Sequence, residues 1–152
     1  MRIIDFHAHA FPDALAARAM PALEEEGNIK AALDGKVSSL LRSMDEAGIE
    51  ASVVASIATR PQQFEPILRW SEEIASARII PFPSVHPDDA QVVEHVHRIH
   101  DRGFKGVKLH PYYQDFDLDE ARLRPLYAAL QDCGLAVLCH TGFDLAFARV
   151  RR

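Results

Sequence analysis

Asp5-Phe6-His7-Ala8-His9 places two imidazoles and a carboxylate close together, directly behind the apolar pair Ile3-Ile4. Side chains alternate along an extended strand, so residues i and i+2 share a face. His7 and His9 would then present both rings on one side. Asp5 has the same parity and would orient one ring from behind. Imidazole is the commonest protein ligand for a borderline divalent metal, so the pair reads as half of a metal site. The same residues would also serve as polar groups on the water-facing side of an edge strand, and the wider context has to decide.

That context is a regular alternation of strand and helix signals. Strands are predicted over Arg2–His7, Ala51–Ile57, Arg78–Val85, Phe104–His110 and Leu135–His140. Helices are predicted over Asp13–Glu26, Val37–Ala47, Gln63–Ser76, Asp88–Arg102 and Asp119–Asp132. Val37, Leu40, Leu41 and Met44 recur at helical spacing, and Gly48 supplies the stop. Pro81 and Pro83 are awkward in a central strand, which predicts a short third strand. Strands alternating with helices give a parallel sheet covered by helices, wound as a doubly wound sheet or a barrel. No glycine-rich phosphate loop follows the first strand, which weakens the nucleotide-binding version. Polar residues instead collect where strands end: His7 and His9, His86, Lys108 and His110, and His140. A (β/α)₈ barrel carries its active site at that rim. Five strands fall short of eight, so the fold class expected is an incomplete TIM-barrel-like α/β fold lacking strands six to eight. It forms one domain over 1–152, with two open edges that a second copy of the chain would cover.

Composition narrows the function. The 152 residues are 48% hydrophobic and 26% charged, as in ordinary globular proteins, and the net charge is −5. An acidic chain argues against nucleic acid as a partner. No apolar run approaches the length of a membrane span, and the first residues lack the basic and apolar regions of a signal peptide. Cys133 and Cys139 are too few for a disulfide framework and read as reduced thiols in a cytoplasmic protein.

Ile4-Asp5-Phe6-His7-Ala8-His9 resembles the first-strand metal motif of the amidohydrolase superfamily. Gly103-Phe104-Lys105-Gly106-Val107-Lys108-Leu109-His110-Pro111 and Leu135-Ala136-Val137-Leu138-Cys139-His140-Thr141-Gly142 resemble its fourth and fifth strands. The chain is more narrowly similar to the amidohydrolase 2 branch, which holds metal-dependent hydrolases and nonoxidative decarboxylases. Leu41–Ile49 and Arg78–Phe82 fit that branch as well. The resemblance implies a divalent metal, zinc foremost with manganese, iron or cobalt as alternatives, held by His7, His9 and His140. It implies a small-molecule substrate attacked by metal-activated water, or decarboxylated. A histidine on a sixth strand and an aspartate on an eighth would complete the site, and this sequence offers neither strand. A truncated, inactive barrel fragment that needs a partner is the remaining reading.

Three neutral imidazoles with one open position form a catalytic zinc pattern, and the ion lowers the pKa of bound water from ~15.7 to ~7. His140 and His110 are the expected catalytic groups. Lys108 has two readings: a carbamylated metal bridge, as the resemblance offers, or a barrel-layer lysine paired with a carboxylate. Lys108, Tyr112 and Tyr113, with Gln114 behind them, are candidate pocket residues, because rim loops shape substrate sites. His86 reads as a solvated loop residue, and His95, His97 and His100 as a surface group on one helix. Cys139 is expected to point away from His140 into packing.

Overall fold

The computed structural model describes residues 2–141. Five strands alternate with six helices among them: β1 (Ile4–Ala8), α1 (Asp13–Gly27), α2 (Val37–Ala47), β2 (Ala51–Ala55), α3 (Phe64–Ile74), β3 (Ile79–Phe82), α4 (Val92–Asp101), β4 (Gly106–Leu109), α5 (Pro111–Gln114), α6 (Arg124–Asp132) and β5 (Ala136–Cys139). None of the described helices is long and apolar enough to cross a membrane.

All strand pairs are parallel. β1, β2 and β3 form one ladder, and β4 and β5 a second. The prolines explain the division. Pro81 and Pro83 have no N–H to donate, so β3 offers little to a strand on its far side. A single bridge joins the ladders: the Lys108 N–H donates to the Pro83 carbonyl at 2.8 Å, and Ser84 Oγ–H donates to the Lys108 carbonyl at 2.8 Å. The resulting order is β1-β2-β3-β4-β5, an open, TIM-barrel-like α/β sheet that does not close.

Helices cover one face of this sheet. Val107 and Leu109 of β4 pack against Phe64 and Leu68 of α3, Val96 and Ile99 of α4, and Leu126 and Leu130 of α6. Ala8, Val54 and Ile79 pack against Leu40 and Met44 of α2. Arg78, at the entrance to β3, is paired with Asp45 of α2 and donates to the Ile49 carbonyl at 3.0 Å. Two sequence segments that carried the family resemblance are therefore physically joined. Cys139 lies against the helix-side core and Cys133 is also unpaired, so the described cysteines are free thiols.

The opposite face is the concave interior. The order β1-β2-β3-β4 puts two strands between His7 and Lys108, and a flat sheet would part them by ~14 Å at ~4.8 Å per strand. Lys108 Nζ nevertheless lies 3.1 Å from His7 Nε2, and Phe6 meets Phe82 edge-on with centroids 5.8 Å apart. The sheet is curled, as a barrel wall is.

Several boundaries differ from the patterning. α4 starts at Val92, not Asp88, because Asp89 Oδ1 accepts from the Gln91 N–H and holds a turn there. The segment 121–132 opens as a 3₁₀ turn, Ala121–Leu123, before α6, and Pro125 occupies the first turn of α6 where no donor is lost. A 3₁₀ turn, Pro61–Gln63, likewise precedes α3. The single-turn α5 is too short for periodicity to reveal, and Pro111 at its start is its only local mark.

Gly106 is required by contact. A Cβ there would overlap the Phe82 ring and stand 2.6 Å from the Ala136 carbonyl oxygen. Gly106→Ala should therefore lower stability by ~1–3 kcal/mol, the usual cost of overpacking, measured as a reduced urea midpoint at unchanged m-value.

Candidate functional site

The rim site begins with an irregularity in β1. Asp5 pairs with Ser52 and Ala8 with Val54, so three steps along β1 match two along β2. This is a β-bulge. Ser52 and Val54 face the helices, which places Asp5 and Ala8 on that side as well. Phe6 and His7, on either side of the extra step, both reach the interior, where they meet Phe82 and Lys108. Asp5 therefore does not stand behind either ring. Its Oδ1 accepts from the His7 backbone N–H at 3.0 Å and braces the bulge instead.

His7 and His9 converge. Their Nε2 atoms are 3.2 Å apart and their ring centroids 5.0 Å apart. Two nitrogens bound to one ion at ~2.0–2.1 Å with tetrahedral or octahedral angles are separated by about 2.8–3.4 Å, so the spacing suits a shared ion. His9 Nδ1 lies 2.9 Å from the Ala55 carbonyl and is the donor there, which leaves Nε2 with its lone pair. The pair thus fits a divalent cation by both spacing and tautomer.

The surroundings disfavour the charged forms of these groups. Loss of hydration pushes the His9 pKa down to about 4, although its ring retains an exposed edge, and the Ala55 hydrogen bond opposes the shift. His7 is lowered by burial first, then by Lys108 and His140. Lys108 is fully buried, and burial lowers its pKa as well. Among the described residues its Nζ contacts His7 Nε2 and no carboxylate, so the reading as a lysine–carboxylate pair is not met there.

His140 follows β5, held by its backbone N–H on the Leu109 carbonyl at 3.1 Å. Its ring stacks on His110, with centroids 4.2 Å apart and planes 12° from parallel. Tyr113 meets His110 edge-on at 4.6 Å, and Tyr112 meets His140 edge-on at 6.3 Å. The expected residues therefore gather in one region. Among the described residues, however, no three His, Cys, Asp or Glu side chains are arranged to hold one ion. His7 and His9 form the pair, while His140 sits against His110.

Three other histidine and glutamine readings are corrected. His86 is buried, and its Nδ1 accepts from the Asp88 N–H at 3.1 Å. His95 is buried too, stacked on Phe64 at 3.6 Å with Nδ1 3.0 Å from Asp89 Oδ2, because its helix turns that face toward α3. Gln114 lines no pocket: it is completely buried, and its amide spans three strand ends. No pattern in the sequence distinguishes such a clamp from an exposed helix-end glutamine.

This curled parallel sheet, with a histidine pair at the end of β1, is a partial TIM-barrel-like α/β fold. The chain belongs to the amidohydrolase family, whose sequence model matches residues 4–151. No curated protein sequence matches it. Its fold is similar to 5-carboxyvanillate decarboxylase from Sphingomonas paucimobilis: TM-score 0.65, 14% identity, covering 91% of this chain and 51% of that one. It is likewise similar to 5-carboxyvanillate decarboxylase from Novosphingobium aromaticivorans, solved with manganese and 4-hydroxy-3-methoxy-5-nitrobenzoic acid: TM-score 0.65, 19% identity, covering 91% and 50%. A third is the probable 2-pyrone-4,6-dicarboxylic acid hydrolase of Acinetobacter baumannii, with citric acid bound: TM-score 0.54, 18% identity, covering 93% and 50%. The chain spans about half the length of these solved relatives.

The His9 shift has a consequence for stability. Between pH 6.5 and about 4 the unfolded chain binds a proton on residue 9 that the folded chain does not. Stability of the metal-free protein should therefore fall as pH is lowered through that window, and His9→Asn should make the fall shallower. Urea midpoints from pH 7 to 4 in the presence of a chelator test this.

Proposed function

We propose that His7 and His9 hold a divalent metal and that the site acts on a small carboxylate-bearing molecule by decarboxylation. The observation that carries this is the 3.2 Å histidine pair with Lys108 Nζ 3.1 Å from it. Zinc is the first candidate by ligand chemistry, and manganese is supported by the relative solved with that ion. The bound ion would supply Lewis acidity to a substrate oxygen. The chain's own groups do the rest. With a cation on the lone pairs of the two histidines, Lys108 would lose its acceptor on His7, and its ammonium form would suit a carboxylate oxygen of the substrate. His110 and His140, with Tyr112 and Tyr113 at their edges, offer a flat aromatic surface for a planar substrate. Decarboxylation breaks the bond from carbon to the carboxylate, releases carbon dioxide and leaves the electron pair on carbon, where a proton must be delivered. Imidazole N–H and lysine are suited to that delivery.

Hydrolysis of an ester or amide bond is the second reading, favoured by the likeness to the dicarboxylic acid hydrolase. It needs a base to take a proton from water. Asp5, the carboxylate of the β1 motif, is already engaged on the His7 backbone, so hydrolysis draws less support from this geometry. A second copy over the open β1 and β5 edges, where Phe6 and Val137 are exposed, is the partner we propose for the chain in solution.

Metal analysis of the purified chain should give about one equivalent of divalent ion, lost in His7→Ala/His9→Ala. Absence of metal from folded wild-type protein would sink the proposal. Lys108→Met should retain the metal and raise KM, or the Kd of a benzoate analogue, by roughly 10- to 100-fold, the equivalent of a charge-assisted hydrogen bond. Loss of metal in that variant would instead support a carbamylated bridge. Carbon dioxide release from 5-carboxyvanillate, set against ring opening of 2-pyrone-4,6-dicarboxylate, separates the two reactions.

A further inference from the structure

We infer that Gln114 is a positioning residue that sets the His110 imidazole against His140 by accepting a hydrogen bond from the His110 backbone; its relevance to catalysis rests on the function proposed above. Gln114 Oε1 accepts from the His110 N–H at 2.7 Å. Its Nε2 donates to the Ala58 carbonyl at 2.9 Å and the Val85 carbonyl at 2.8 Å, with Ser84 Oγ at 3.4 Å. One side chain with no exposed surface therefore ties together the ends of β2, β3 and β4. These carbonyls belong to loop residues outside any ladder, and a buried carbonyl without a donor costs ~1–3 kcal/mol, which fixes the amide's orientation.

The geometry transmits this order to the ring. His110 occupies the cap of α5, with extended backbone at φ −138° and ψ 95°, and its Nδ1 accepts from the Tyr113 N–H at 3.4 Å. The Gln114 N–H in turn donates to the His110 carbonyl at 3.0 Å. His110 is thus gripped at its N–H and its carbonyl by the same residue, while its imidazole is held at Nδ1 by the same single turn. A side chain so fixed leaves the ring one direction, parallel to His140. An amide four residues along the chain performs this task because α5 is one turn long and brings residue 114 beneath residue 110.

The test is proton NMR of the histidine Hε1 signals in the metal-free 152-residue chain, assigned by single His→Ala variants. Stacking moves the His140 signal upfield in wild type, and the His95 signal, shifted by Phe64, reports whether the fold is intact. In Gln114→Met we expect the His140 shift to be lost with His95 unchanged, and in Gln114→Glu, which keeps the acceptor, to be retained. A wild-type His140 shift in folded Gln114→Met overturns the inference. If Gln114→Met does not fold, Gln114→Glu decides: a retained shift supports the role and a lost shift with native His95 overturns it. If neither folds, slow exchange of the His110 amide in wild type supports the bond and random-coil exchange overturns it. No metal or substrate enters these measurements, so their failure leaves the proposed chemistry standing, while loss of metal binding in wild type would leave the Gln114 result standing.

Discussion

The hydrogen bonds between Ser84 and Lys108 and between Lys108 and Pro83 are the join on which this architecture depends. Without them the chain would be two separate parallel ladders, because the prolines of β3 deprive that strand of donors. With them the sheet runs through all five strands and can curl. The same residue that makes the join at its backbone sends its side chain into the concave face. Lys108 is therefore structural in its main chain and chemical in its side chain, and its placement opposite His7 is set by sheet curvature across two intervening strands.

The electrostatics of the rim follow from that curvature. Curling crowds Lys108, His7 and His9 into a region where hydration is reduced, and the shift of each disfavours protonation. For His7, His9 and Lys108, lost hydration disfavours the charged form, and His9 keeps its lone pair available on Nε2. The cost of desolvating them falls on folding, and a bound cation would recover part of it.

Much of this was legible in the sequence. The alternation of elements, the short third strand and the polar residues at strand ends all follow from periodicity and proline placement, and the first-strand motif located the histidine pair. What was not legible depends on contacts between distant segments. Alternation put Asp5 beside the rings, but the bulge that removes it is visible only in the register with β2. His95 reads as a surface residue until Phe64 of α3 is seen against it. Lys108 was expected to find a carboxylate, a reasonable rule for a buried lysine, and finds an imidazole instead. Gln114 gives no signal at all, because its partners lie 29 and 56 positions away in the chain.

The bulge in β1 also bears on which changes this strand can absorb. Because one surplus residue sits between Asp5 and Ala8, facing is assigned by counting from the irregularity, and residue parity alone no longer says which side a residue occupies. Replacing a side chain on either flank alters local packing and leaves the count intact. Removing or adding a single residue inside the segment would exchange inside for outside along the rest of the strand. This stretch is thus permissive toward exchange of residue type and intolerant of change in length, the reverse of what is usual for the exposed loops that surround it.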